Sequence, residues 1–330
     1  MIMSTEKNKV LTNASDAETR NFTIACNENI LDTLSRRLYT NIPRAVIREL
    51  VSNAIDANIE AGVDEKILLH LPNGLEPEFY VEDHGIGMNE ETIYNVYTQY
   101  GNSTKNGSNN CIGGLGLGSK TPFAYTDQFF VISSKDGIKN TFVCFRNEQG
   151  EACITKMASE ACSETGTKVS FPVKENDIRS FTNEAVITLL FTMKMPELVG
   201  EKDRFLRVAG VESLEEYEAL RKELAENTYI TNEKLRSLIN YSSSYGKLIV
   251  EMGGVAYKVD SNEIFEDGNY NPVLEYICKK SDLQVFHLPI GAVQIQSSRE
   301  ALNYTRFTKE ALTKLFIQEF LADAKKVIAA

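Results

Sequence analysis

Apolar residues at Ile30, Leu31, Leu34 and Leu38 recur at a helical spacing and predict a helix over residues 26–39. Asn41-Ile42-Pro43 then carries a helix-start signal, with Pro in the first turn. An amphipathic helix follows to about Glu60 and stops at Gly62. Residues 66–71 and 78–83 read as strands, and Asn73-Gly74 between them is a hairpin signal. The chain then turns on Gly85 and Gly87 and enters a Gly-, Ser- and Asn-rich loop at 101–120. Three strands are predicted at 128–134, 140–146 and 166–173, then a helix over 177–193.

Pro196 and Gly200 mark a boundary. Beyond it come charged surface helices at 211–226 and 232–240, a break at 242–246, and strands at 247–252, 255–259 and 284–288. A helix over 308–327 closes the chain. The expected fold class is α+β in two domains, 1–198 with an N-terminal arm at 1–25, and a smaller 199–330.

Composition narrows the class. The 330 residues are 42% hydrophobic and 25% charged, an ordinary globular balance. No apolar run approaches the ~18 residues of a membrane span. The N-terminus lacks a signal-peptide pattern, so a cytoplasmic location is expected. The net charge of −11 leaves nucleic-acid binding possible but not favoured. The six cysteines show no C-x-x-C pair and no zinc-finger spacing, and read as free or buried thiols.

Three segments carry candidate chemistry. Glu49, Asn53 and Asp56 stand at i, i+4 and i+7 on one helix face. Such a stripe is either solvated surface or a site where Asn53 offers oxygen to Mg²⁺ near a carboxylate. Asp83-His84-Gly85-Ile86-Gly87-Met88 is either a tight turn or a place where glycines let backbone approach a flat ligand. In the second case Asp83 accepts from an exocyclic amine. Gly113, Gly114, Gly116 and Gly118, followed by Ser119-Lys120, fit neither a Walker loop nor a dinucleotide fingerprint. They read as a linker or as amide groups turned toward an anion, with Lys120 and Lys105 adding charge.

The order E-x-x-x-N-x-x-D-A, D-x-G-x-G, G-G-x-G-x-G and a later Gly166-Thr167 resembles the Bergerat-fold ATPases of the gyrase, heat-shock-protein-90, histidine-kinase and MutL group. The resemblance covers roughly residues 26–190 and implies an α/β sandwich that binds ATP and Mg²⁺. It makes Glu49 the general base, Asn53 the Mg²⁺ ligand and Asp83 the adenine-reading carboxylate. Thr167 sits beside Asp83 through a water, with Gly85, Gly87 and Met88 in the same pocket. Residues 113–118 become the phosphate lid, and Asp56 a support for the pocket.

Ser297-Ser298-Arg299-Glu300-Ala301-Leu302 resembles the S-R-E-x-L segment of the chaperone middle domain. That likeness implies a transducer-like second domain whose Arg299 senses the γ-phosphate; the plain alternative is a surface arginine paired with Glu300. The run at 112–127, the Gly253-Gly254 hairpin with Tyr257, and residues 297–302 together resemble the rapid-lysis A (rII protector) family of T4-type phages. This implies a phage protein in the host cytoplasm that counters host or prophage exclusion.

The function expected is slow ATP hydrolysis that closes a lid and clamps a homodimer, or a second phage or host protein. A non-hydrolysing ATP-sensing module is the alternative. A topoisomerase- or mismatch-repair-like role rests on fold alone. A histidine kinase needs a phosphoacceptor on a dimerising helix, whereas His70, His84 and His287 lie in or beside predicted strands or the Gly85 turn.

Overall fold

The computed structural model describes residues 32–33, 35–100, 117–241, 247–264, 272–280 and 283–329. Lys105, Gly113, Gly114 and Gly116 lie outside the described residues, as do Cys26 and Cys111.

The first long helix, Ile42–Ala61, begins and ends where its caps dictate. The Asn41 side chain accepts from the Arg44 backbone N–H at 3.1 Å, and Gly62 takes the left-handed conformation (φ 69°) that ends the helix. Val46, Ile47, Leu50, Val51, Ala54 and Ile55 are buried in the core. Six such side chains contribute on the order of 10 kcal/mol, enough to carry a polar stripe inward with them.

That helix packs against a sheet with the order β5-β4-β3-β6-β2-β1-β7 among the described residues. Its strands are β1 Leu68–Leu71, β2 Glu78–Glu82, β3 Gln128–Lys135, β4 Ile138–Arg146, β5 Ala152–Ala161, β6 Gly166–Pro172 and β7 Glu197–Gly200. Neighbours are antiparallel except β1 with β7. A second helix, Ile178–Leu189, lies beside the first, tied by Arg44 Nε to Glu184 Oε2 at 2.7 Å. Phe79, Phe171, Phe181 and Tyr125 stack into one aromatic cluster beneath it.

Three expectations need correction. Residues 196–200, read as a break, hold β7, whose Leu198 is buried. Strand β5 was not predicted, because it is exposed along nearly its whole length and carries no alternating apolar face. The 177–193 helix ends at Leu189, where Arg221 donates to its carbonyl at 2.7 Å.

Three helices follow, Lys202–Ala209, Leu214–Glu226 and Glu233–Tyr241; the first was not anticipated. A second sheet has the order β10-β9-β11-β8, with β8 Tyr229–Ile230, β9 Leu248–Met252, β10 Val255–Lys258 and β11 Leu283–Leu288. Helices Pro272–Lys279 and Arg306–Ala329 pack against each other. A continuous core joins the two sheets, running from Val46 and Phe171 through Tyr217 and Leu235 to Ile249 and Val285. No helix among the described residues is long and apolar enough to cross a membrane. Cys144, Cys153, Cys162 and Cys278 are free thiols.

One polar contact on the second sheet is pH-sensitive. His287 places Nδ1 2.9 Å from Glu251 Oε2 and Nε2 3.0 Å from the Leu224 carbonyl. Both partners accept, so both ring nitrogens donate only in the imidazolium form. The hydrogen bond to Glu251 raises the His287 pKa above its ordinary value, against the opposing effect of burial. A pKa raised by folding gives stability that is full below the unfolded value, about 6.5, and lost as pH rises through the folded one. The difference in urea midpoint between the wild type and His287→Gln is therefore expected to shrink between pH 6 and pH 9. A difference that stays constant or grows contradicts the charged histidine.

Candidate functional site

The polar stripe of the first helix turns inward rather than to solvent. Glu49 and Asp56 are buried and Asn53 is half-buried. Arg48 Nε reaches Glu49 Oε1 at 3.1 Å, and Arg299, from the far end of the chain, reaches Oε2 at 3.0 Å. Burial opposes ionisation of Glu49, but the Arg299 and Arg48 guanidiniums outweigh it and hold the carboxyl below the usual range. It is a carboxylate at neutral pH, as a general base must be.

The residues after the glycine run close over this carboxylate. A Cβ placed on Gly118 would stand 2.5 Å from Glu49 Oε2 and 3.5 Å from Asn53 Nδ2, so any larger residue there displaces the carboxylate. Ser119 follows in a 3₁₀ turn, and its carbonyl accepts from the Tyr97 hydroxyl at 2.9 Å. Lys120 is buried, with Nζ 5.6 Å from the Tyr97 ring centre and 5.9 Å from that of Tyr100. Burial pulls its pKa down to about 8.

Asp83 lies at the end of β2, held by β6. Its Oδ1 accepts from the Gly85 N–H at 2.9 Å and the Thr167 N–H at 3.1 Å. Its backbone N–H donates to the Thr167 carbonyl at 2.9 Å. Burial pushes the Asp83 pKa up to about 6, more than those two amides lower it. One carboxylate oxygen is thus fixed by the protein's own backbone.

The motif glycines are required by close packing within the chain. A Cβ on Gly85 would stand 2.6 Å from Ala57 on the first helix. One on Gly87 would stand 2.0 Å from the Ser134 carbonyl, and one on Gly166 2.1 Å from the Asp83 carbonyl. Gly87 (φ 58°) and Gly166 (φ 138°) also need a backbone that L side chains rarely adopt.

Two residues of this wall went unread in the sequence. Ser133 Oγ accepts from the Met88 N–H at 2.8 Å and lies 2.9 Å from the Thr167 hydroxyl. Asn58 Oδ1 accepts from the His84 N–H at 2.9 Å, and its Nδ2 donates to the Glu65 carbonyl at 2.9 Å. Asn58 directly follows the D-A pair on a helix, where a side-chain amide is out of place unless it bonds backbone. That was the available signal.

Arg299 is not a surface arginine paired with Glu300. It is buried and has a left-handed backbone (φ 56°), which is uncommon for a residue with a Cβ. Its Nε has no hydrogen-bond partner among the described residues. The Tyr257 hydroxyl from β10 bonds the same guanidinium.

The features to be matched by a ligand are the buried Asp83 carboxylate with one oxygen held by backbone, the buried Arg299 guanidinium beside Glu49, and the glycine turn at Gly118 against Glu49 and Asn53. Among the described residues no group of three or more His, Cys, Asp or Glu gathers as a metal cage. Asn53, on the same helix face as Glu49, is the residue that could offer an oxygen to a divalent cation.

Comparisons with known proteins agree with the geometry. A family model described as "Histidine kinase-, DNA gyrase B-, and HSP90-like ATPase" matches residues 39–171. The chain is 28% identical over 189 residues to the chaperone protein HtpG of Ehrlichia ruminantium (strain Gardel), covering 48% of this chain and 29% of that protein. It is 26% identical over 242 residues to HtpG of Sulfurovum sp. (strain NBC37-1), covering 61% and 38%. It is 29% identical over 157 residues to a putative type II restriction enzyme, HgiDII, of Herpetosiphon aurantiacus, covering 43% and 24%. The chain thus spans well under half the length of these relatives. Residues 39–171 carry the histidine-kinase, gyrase and heat-shock-protein-90 type of ATPase fold, the Bergerat fold, and a second α+β unit is packed against it.

Proposed function

We propose that this chain binds ATP with Mg²⁺ between Asp83 and Arg299 and hydrolyses it slowly, using the nucleotide to control how residues 199–330 sit on residues 1–198. The observation that carries this reading is the meeting of Glu49, Gly118 and Arg299 at one point. ATP supplies the scissile phosphoanhydride, and Mg²⁺ neutralises part of its charge. Asp83 accepts from the adenine amine through its free oxygen, with Thr167 beside it. Met88 and the Gly85 and Gly87 turn shape that wall. Asn53 offers its oxygen to the cation. Gly118, Ser119 and Lys120 lie at the phosphate end, with Lys120 adding positive charge; Lys105, Gly113, Gly114 and Gly116, expected at the same end, lie outside the described residues. Glu49 takes the proton of the attacking water, and Arg299 binds the terminal phosphate and stabilises its developing charge.

In the arrangement described above, Arg48 and Arg299 occupy both oxygens of Glu49. This favours a second reading, an ATP-sensing module that binds without turnover. Single-turnover hydrolysis with Mg²⁺ separates the two: one phosphate released per bound ATP supports the enzyme, and none over many hours supports the sensor.

The likeness to the rapid-lysis A family extends the proposal to a phage protein acting in the host cytoplasm against exclusion systems. Its partner is then a second copy of itself or another phage or host protein.

The elevated Asp83 pKa gives a pH signature. Only the carboxylate can accept from Gly85 and Thr167 at one oxygen and from the amine at the other, and the free protein loses it as pH falls through about 6. ATP affinity is expected to weaken by about tenfold per pH unit below that point and to level off above it. Titration calorimetry from pH 5 to pH 8 measures this, and an affinity flat across the range contradicts the assignment of Asp83.

A further inference from the structure

We infer that Glu300 is a positioning residue that holds Arg299 in the nucleotide site by bonding to the start of the Glu49 helix. The inference rests on the ATP-site reading above and deepens it.

Glu300 sits one residue beyond Arg299, yet its side chain points away from it. Oε2 accepts from the Thr40 backbone N–H at 2.9 Å and from the Thr40 hydroxyl at 2.9 Å, and Oε1 accepts from the Asn41 N–H at 3.3 Å. Asn41 is the N-cap of the helix that carries Glu49 and Asn53. The carboxylate therefore satisfies N–H groups at the positive end of a long helix, where negative charge is favoured.

A second anchor lies on the other side of Arg299. Arg48 donates to the Ser298 carbonyl at 2.8 Å while its Nε holds Glu49. Within the turn, the Arg299 N–H donates to the Gln296 carbonyl at 2.9 Å, and the Gln296 N–H donates to the Ala301 carbonyl at 3.0 Å. Arg299 is thus the left-handed residue of a tight turn pinned at both shoulders to the one helix that presents Glu49. A left-handed non-glycine persists only where its surroundings over-determine it. The pins supply that here, and they fix the guanidinium relative to Glu49.

A simple helix cap would stabilise the fold without affecting how the site tells ATP from ADP. A positioning role links the two. Hydrogen exchange on the nucleotide-free full chain tests the docking alone. Glu300→Ala is expected to speed exchange in residues 296–302 and 39–41 by at least ~10-fold, with Glu300→Asp giving partial recovery. Unchanged exchange overturns the inference whatever the nucleotide does.

The ATP-to-ADP affinity ratio of the wild type, Arg299→Ala, Glu300→Ala and the double variant then tests positioning. The wild type is expected to prefer ATP by at least ~10-fold, with each single variant losing that preference and the double variant losing no more. If Arg299→Ala loses the preference and Glu300→Ala keeps it, Glu300 is only a cap and the inference fails. If the wild type and Arg299→Ala both bind ATP and ADP alike, the phosphate-sensor reading fails, while the exchange measurement still decides whether Glu300 docks the turn.

Discussion

Glu49→Ala is expected to bind ATP and to lower single-turnover hydrolysis by at least ~100-fold, the scale for losing a general base. In the proposed site the carboxylate faces the phosphates, so the adenine contact at Asp83 survives its removal. The substitution also has a structural consequence. It leaves the buried Arg48 and Arg299 without their shared anion. Breaking a buried pair from one side costs about 3–5 kcal/mol, so a lower melting temperature accompanies the lost activity. Glu49→Gln separates the two effects, because it keeps the volume and an acceptor oxygen but cannot take a proton. If Glu49→Gln hydrolyses ATP at the wild-type rate, Glu49 is a structural anion and the base lies elsewhere.

Asp83→Asn is expected to fold normally and to lose at least ~100-fold in ATP affinity, about 3 kcal/mol. The asparagine oxygen can keep both hydrogen bonds from Gly85 and Thr167, now made to Asp83 Oδ1. The exchanged atom is the other one. A carboxylate oxygen that accepts becomes an amide nitrogen that donates, and it then faces the donating amine of adenine. The measurement is titration calorimetry beside a thermal melt of the same sample. Tight ATP binding by a folded Asp83→Asn protein removes Asp83 from the site.

Much of the local structure around these residues is legible in spacing. Asn41 and Gly62 set the ends of the first helix because capping is local chemistry. Glu49 and Asp83 stood out by motif order. What could not be read was whatever depends on a partner distant in sequence. Nothing near Gly85 or Gly166 tells that Ala57 and the Asp83 carbonyl lie against them. Ser133 is an unremarked serine in a strand until Met88 and Thr167 arrive beside it. Glu300 looked like the natural pair for Arg299, whereas its bonds are made 260 residues away. Strand β5 escaped for the opposite reason: it has no buried face, so no pattern marks it.

Asp83 is proposed to read the adenine of a bound ATP. Equilibrium titration of the wild-type chain with ATP, GTP and Mg²⁺ tests it most directly. Asp83 presents an acceptor to the 6-position of the purine, where adenine donates and guanine accepts. The account predicts saturable binding of one ATP per chain that GTP at equal concentration does not displace. No saturable ATP binding, or equal binding of the two nucleotides, contradicts it.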